Sequence, residues 1–244
     1  MPKFIPRDVD FIVCSGGGAG TTMLLDFFSI IRRVNSPKDY DNLKHMPIPP
    51  VSFNRKMKCI FIYSNPLDTC ISLFNRHFQT WQSRKLLRHS DLLKRSDIDR
   101  ISSNLSLDEY AENGQDLLGL ENQFINYSEK YILYPTLFLK YENLWDNLNI
   151  LQEFISLTHK EMESFPKKSE RVSSLDKISS NTYNRLLNIY NPFIKRIKNF
   201  DEAHIALPSK KSGYFKILAS KNCRLATVNG INNLLRHKNN VYGE

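Results

Sequence analysis

A short apolar run, Phe11-Ile12-Val13-Cys14, ends in Ser15-Gly16-Gly17-Gly18-Ala19-Gly20 and passes directly into Thr21-Thr22. Consecutive glycines let the backbone take positive φ, so that successive N–H groups converge, and a helix that follows adds the positive end of its dipole. From Thr21 to Arg33 the residues Met23, Leu24, Phe27, Phe28 and Ile31 recur at helical spacing. Strand, glycine turn and helix in this order make a cradle for phosphate. A tight turn alone would need one or two glycines, whereas here four fall in five positions. The pattern G-x-x-x-x-G-K-[ST] is not met, because Ser15 stands where its first glycine belongs and Thr21 where its lysine belongs, which disfavours an ordinary ATPase or kinase.

The rest of the chain alternates strand and helix signals without internal repeats. Lys58 to Tyr63 reads as a second buried strand, and Asn65-Pro66-Leu67-Asp68 opens a helix that runs to about Phe78. Leu137 to Tyr141 reads as a third strand, followed by a helix over Leu148 to Leu157, and another helix is expected near Asn181 to Phe200. The basic run from Lys167 to Arg171 and the segment from Tyr214 onward carry no clear element signal. Strands separated by helices imply an α/β fold of three layers, a central parallel sheet with helices on both faces, of the P-loop type. The 244 residues suit one domain over 1–244. Residues 80–126 are polar, with helical pieces near Arg84 to Lys94 and Leu107 to Tyr127, and read as a helical lid or acceptor-binding insertion over the sheet's carboxyl edge.

Charge and cysteines narrow the class. Lys and Arg number 34 against 25 Asp and Glu, a formal +9 that favours phosphate, sulfate and other polyanions. No specific nucleic-acid motif accompanies it. Cys14, Cys59, Cys70 and Cys223 are widely spaced with no C-x-x-C pair, which argues against a zinc site or disulfide scaffold and for a reducing, cytoplasmic setting. No stretch has the ~18 apolar residues of a membrane span.

Three motifs in order carry a family resemblance. Gly17-Gly18-Ala19-Gly20-Thr21-Thr22 resembles the P-K-S-G-T-T loop of the sulfotransferases that use 3′-phosphoadenosine 5′-phosphosulfate. Tyr63-Ser64-Asn65-Pro66-Leu67-Asp68-Thr69-Cys70-Ile71-Ser72 is similar to that family's R-N-P-x-D-x-x-x-S, and Leu139-Lys140-Tyr141-Glu142-Asn143-Leu144 to its l-R-Y-E-D-L strand exit. The motifs cover roughly the first 160 residues. The resemblance implies a nucleotide site made by Gly17, Gly18, Ala19, Gly20, Thr21 and Thr22, with Ser72 on the 3′-phosphate. It implies transfer of a sulfuryl group to an acceptor hydroxyl or amine, adenosine 3′,5′-bisphosphate as product, and no metal. The acceptor is expected to be a carbohydrate or small molecule.

Two departures bear on activity. Gly18 takes the place of the loop lysine and Ser64 that of the arginine on the 3′-phosphate. Arg76, one turn beyond Ser72, is a candidate substitute for the second. Leu43-Lys44-His45-Met46-Pro47 resembles the family's K-[TS]-H-x-P stretch, which makes His45 the candidate base and Lys44 a candidate stand-in for the lost lysine. His77 and His89 are expected near the lid, whereas His159, His204 and His237 have no motif around them; Asp68 and Glu142 read as helix caps or loop-ordering groups. A catalytically impaired nucleotide-binding homologue, or a kinase-like P-loop phosphotransferase that needs Mg²⁺, are the alternatives.

Overall fold

The computed structural model describes residues 3–87, 101, 104–168, 178–200 and 203–208. His89, Cys223, His237, the segment from Tyr214 and most of the helical piece expected over Arg84 to Lys94 lie outside the described residues.

The three strands expected from sequence are β1 (Phe11–Cys14), β2 (Lys58–Tyr63) and β3 (Thr136–Lys140). They pair in parallel, with Phe11 opposite Lys58 and Cys59 opposite Thr136. A short β4 (His204–Ala206), which no sequence signal marked, adds antiparallel to β3 and completes the order β1-β2-β3-β4. The helices in chain order are α1 (Thr21–Ile31), α2 (Pro66–Asn75), α3 (Gln79–Leu86), α4 (Leu107–Glu112), α5 (Leu120–Ile125), α6 (Leu148–Ile155), α7 (His159–Met162) and α8 (Ser180–Ile197). The stretch expected as one helical piece over Leu107 to Tyr127 is thus two helices, broken at Gly114 and Gly119, both at positive φ.

Alternation along each strand explains the layers. Ile12, Cys14, Cys59, Phe61, Tyr63 and Phe138 face one side, where residues of α2, α4, α5 and α8 cover them. Phe11, Val13, Ile60, Ile62, Leu137 and Leu139 face the other, under α1 and α6. A sheet covered on both faces reads as continuous apolar runs, as these strands do. The fold is a three-layer α/β sandwich with the glycine turn at the carboxyl end of β1. Among the described residues no helix is long and apolar enough to cross a membrane.

The free edge of β1 is closed by the segment that connects α1 to β2. Asn35 stands in for a strand there: its Oδ1 accepts the Val13 N–H at 2.7 Å and its Nδ2 donates to Val13 O at 3.0 Å. Farther on, the Ser15 N–H donates to Lys44 O at 3.1 Å. Beyond Lys44 the proline-rich chain offers its carbonyls to side chains of the opposite layer. Gln123 donates to Met46 O, Asn126 to Pro47 O, Tyr127 to Ile48 O and Tyr134 to Pro50 O. Buried carbonyls in an irregular segment need such partners. These bonds fix Lys44 and His45 beside the glycine loop.

Asp116 organises the other layer. Its carboxylate accepts the N–H groups of Gly119 at 3.0 Å and Glu121 at 3.1 Å at the start of α5, and the Tyr190 hydroxyl at 3.3 Å. Tyr190 and Tyr110 share a further bond of 2.7 Å. Burial outweighs these donors and pushes the Asp116 carboxyl up to about 6. A raised folded-state value adds stability that is fully present below the ordinary 3.8 and lost as pH rises through about 6. We therefore expect the stability gap between the parent and Asp116→Asn, from urea midpoints, to shrink between pH 4 and pH 7. Since the residue keeps some exposed surface, the change is put at about 1–3 kcal/mol. A gap constant across that range would refute the assignment.

Candidate functional site: a glycine loop flanked by Lys44 and His45

The loop has the backbone that the glycine cluster requires. Gly17, Gly18 and Gly20 have φ of +99°, +64° and +74°, a region costly for residues with a Cβ. Gly20 is the N-cap of α1 and no side chain caps that helix end, nor does an acidic residue occupy its first turn. The first N–H groups of a helix have no partner within it, so this end is suited to an anion. A Cβ on Gly20 would run into the ring of Tyr141, from the third motif. Ala19 is buried with its methyl turned into the α1 layer, so only its backbone can face a ligand.

Ser15 ties the loop together. Its Oγ accepts the Gly17 N–H at 3.1 Å and the Thr21 hydroxyl at 2.6 Å. Its carbonyl accepts from His45 Nδ1 at 2.9 Å and from Gln123 Nε2 at 3.0 Å. The hydroxyl of Thr21 is consequently turned inward, and only Thr22 presents an exposed side chain at the helix start. Gln82 of α3 clamps the loop from the other side, donating from Nε2 to Gly16 O at 2.8 Å.

Lys44 and His45 reach this loop from the segment along β1. Lys44 Nζ lies 2.5 Å from Thr22 Oγ1 and 2.8 Å from Pro37 O. Its backbone N–H is held by Asp39 Oδ1 at 2.9 Å, and Asp39, itself at a φ of +59°, also pairs with Lys85 of α3. Burial lowers the pKa of the Lys44 ammonium, Asp39 and Asp26 raise it, and the charges of Arg76 and Lys85 press it down again. Lys85 is likewise lowered by its burial, against the pull of Asp39. Lys44 thus stands at the start of α1 within the field of two further cations, an arrangement that an anion would relieve.

His45 is buried, and a carbonyl oxygen can only accept, so Nδ1 carries the proton and Nε2 the lone pair. Burial depresses the imidazole to about 4, partly offset by the bond to Ser15 O. Trp81 of α3, half exposed, stands edge-on to the imidazole with ring centroids 5.8 Å apart.

The second motif lies across the loop from Lys44. A Cβ on Gly18 would sit 3.4 Å from Thr69 Cα and 3.6 Å from Ser72 Oγ, which puts Ser72 against the loop. Arg76, the C-cap of α2, donates from Nε to Ser72 O at 2.9 Å and lies over the ring of Phe78. Ser64 is buried and shares a bond of 2.8 Å with Thr69. With Gly16, Gly17, Thr69 and Gln123 it lines a small hollow. Glu142 accepts the Asn65 N–H at 3.2 Å and so joins the third motif to the second, while Asn65 Oδ1 caps α2. His77 is exposed at a φ of +56°. His159 and His204 lie apart from the loop, in α7 and β4. Among the described residues no group of three or more His, Cys, Asp or Glu is placed to hold a metal ion.

Gln123, Gln82, Asp39 and Lys85 were not singled out from the sequence. Gln123 did leave a signal, as a polar residue next to Phe124 on the buried face of α5.

No family model matches the chain, and no curated protein matches it. Among solved structures it is similar to mouse sulfotransferase SULT7A1 complexed with PAP. That likeness covers 80% of this chain and 87% of the mouse chain at 16% identity and a TM-score of 0.42. A likeness this distant assigns neither a residue nor an activity here.

Ser15→Ala would strip the Gly17 N–H and the Thr21 hydroxyl of their acceptor. Leaving buried donors without partners costs about 1–3 kcal/mol. A lower urea midpoint of that size is expected, and an unchanged midpoint would mean that the hydroxyl does not hold the loop.

Proposed function

We propose that the chain is a sulfotransferase that moves a sulfuryl group from 3′-phosphoadenosine 5′-phosphosulfate to an acceptor hydroxyl or amine, leaving adenosine 3′,5′-bisphosphate. The observation that carries this reading is the contact of Lys44 Nζ with Thr22 Oγ1 at the start of α1. It sets an ammonium beside the glycine loop from a neighbouring segment, although Gly18 stands where the resembling family has its loop lysine. His45 follows in the chain, so a cation and a base flank one end of the cradle.

The residues fit a nucleotide with phosphates at both ends. Loop amides of Gly18, Ala19 and Gly20, with Thr21 N–H and Thr22, would hold the 5′ end, Gly17, whose N–H goes to Ser15 Oγ, would shape the turn, and Lys44 would neutralise charge there. Ser72 and Arg76 would take the 3′-phosphate, with the Arg76 guanidinium doing what Ser64 cannot. When bound, the nucleotide supplies the sulfuryl group. His45 Nε2 would receive the proton that the acceptor hydroxyl gives up, and the Ser15 carbonyl would stabilise the imidazolium so formed. Trp81, half exposed beside His45, would face the acceptor, and residues 80–126 would form the acceptor-binding insertion of a single domain over 1–244. Cys14, Cys59 and Cys70 are free and buried, in keeping with a reducing, cytoplasmic setting. A slow, impaired enzyme is favoured by one observation, the depressed basicity of buried His45.

Adenosine 3′,5′-bisphosphate should raise the melting temperature more than ADP or ATP with Mg²⁺, because only it offers a 3′-phosphate to Ser72 and Arg76. Equal shifts, or a larger one with ATP and Mg²⁺, would turn the assignment toward a phosphotransferase. Arg76→Ala should lose most of the preference, and Lys44→Met should weaken binding of both adenosine 3′,5′-bisphosphate and ADP by roughly tenfold or more. Gly18→Lys should bring no faster turnover, since Lys44 serves the loop, and should lose roughly 1–2 kcal/mol of stability to its positive φ.

His45→Gln should keep bisphosphate binding and lower turnover, followed as acceptor sulfation or donor hydrolysis, by about two orders of magnitude. The imidazole stays neutral down to about 4, so the acid limb of the parent's rate profile should lie near that pH and not near the ordinary 6.5. A limb near 6.5 that disappears in the variant would contradict the burial of the ring.

A further inference from the structure

The glycine loop closes the carboxyl end of β1; the other end of the sheet carries a feature that the nucleotide site does not use. Phe4 and Phe53 are 50% and 47% exposed, and their rings stack on each other at 5.4 Å with 2° between their planes. The backbone holds them in place. Ile5 N–H donates to Val51 O and Val51 N–H to Lys3 O, each at 2.8 Å, forming a parallel bridge between Phe4 and Val51.

Phe53 opens a tight turn into β2. Ser52 Oγ accepts the Asn54 N–H at 3.0 Å, Asn54 Oδ1 accepts the Lys56 N–H at 2.9 Å, and Asn54 O accepts the Met57 N–H at 3.1 Å. Turn tips favour polar residues, so an aromatic pair held outward on a braced turn needs a partner to be useful. Cations frame the pair. The Arg7 guanidinium lies 5.9 Å from the centroid of Phe53, Arg55 and Lys56 are exposed on the turn, and Lys3 is half-buried beside Phe4. The nearby carboxylates are engaged elsewhere, Asp8 with the Arg33 guanidinium at 3.4 Å and Asp10 with the Arg33 N–H at 2.9 Å.

We propose that this edge is an interfacial anchor that seats the domain on an anionic phospholipid surface. Phe4 and Phe53 enter the boundary between headgroups and acyl chains, and Lys3, Arg7, Arg55 and Lys56 meet the lipid charges. Stacking of single-stranded bases is the less suitable use, because it needs open ring faces. Here the two rings lie parallel against each other and Arg7 lies over Phe53, which leaves no slot between them for a base. Docked this way, the glycine loop at the opposite end of the sheet stays open to solution. The inference stands apart from the proposed transfer reaction.

The test is co-sedimentation of the full chain with phosphatidylcholine vesicles, with and without phosphatidylserine. Binding is expected only to the vesicles that contain phosphatidylserine, weakening as salt rises. Phe4→Ser with Phe53→Ser, and separately Arg55→Glu with Lys56→Glu, should each lower it roughly tenfold or more while the bisphosphate thermal shift is kept. Equal binding of parent and both variants, or no binding by the parent, would overturn the proposal. So would a dimer that dissociates only in the phenylalanine variant, or tighter binding to single-stranded RNA that depends on the same two rings.

Discussion

Every polar atom of Ser15 is committed, and the site depends on that one residue. Its N–H reaches the Lys44 carbonyl, its hydroxyl accepts from Gly17 and Thr21, and its carbonyl accepts from His45 and Gln123. Through these bonds β1, the glycine turn, the start of α1, the segment before β2 and α5 meet at one point. An unpaired carbonyl or N–H at this depth would be costly, so each partner is held by the need of the others. The residue that breaks the G-x-x-x-x-G-K pattern at its first position is thus the one that binds the loop to its neighbours.

The electrostatics follow from the same enclosure. Burying Lys44 and Lys85 costs desolvation, and Lys44 also bears the repulsion of Lys85 and Arg76, which Asp39 offsets only in part. Such an arrangement persists because the backbone that carries it is over-determined, with Asp39 held at positive φ and its carboxylate shared between the Lys44 N–H and Lys85. His45 shows the other side of the same enclosure. The bond to the Ser15 carbonyl fixes its tautomer and aims Nε2 away from Ser15, while burial weakens the imidazole as a base.

The closure of the β1 edge explains how Lys44 comes to stand beside the glycine loop. An edge strand exposes unpaired backbone groups, and something must cover them. Asn35 and the chain as far as Lys44 do so, which carries Lys44 and His45 to the carboxyl end of β1, where the helix dipole of α1 also points. A structural requirement of the sheet therefore delivers two chemical groups to the glycine loop.

By itself the sequence determined the layers and the loop. Phe11–Cys14 and Lys58–Tyr63 are legible because strands covered on both faces must be apolar at every position, and the glycine cluster because only glycine takes its φ values without strain. The start of α2 was also legible, since Asn65-Pro66 marks a strand-to-helix turn. What only the tertiary structure decided are the partners made across the fold. That Lys44 reaches Thr22, that Asp39 holds Lys85, that Gln123 bridges Ser15 and Met46, and that Phe4 stacks on Phe53 depend on residues brought together from distant parts of the chain. Local propensity is carried by neighbours in sequence, so it can set a strand or a turn. A hydrogen bond between residues 108 positions apart, as from Gln123 to Ser15, is set only by how the layers pack.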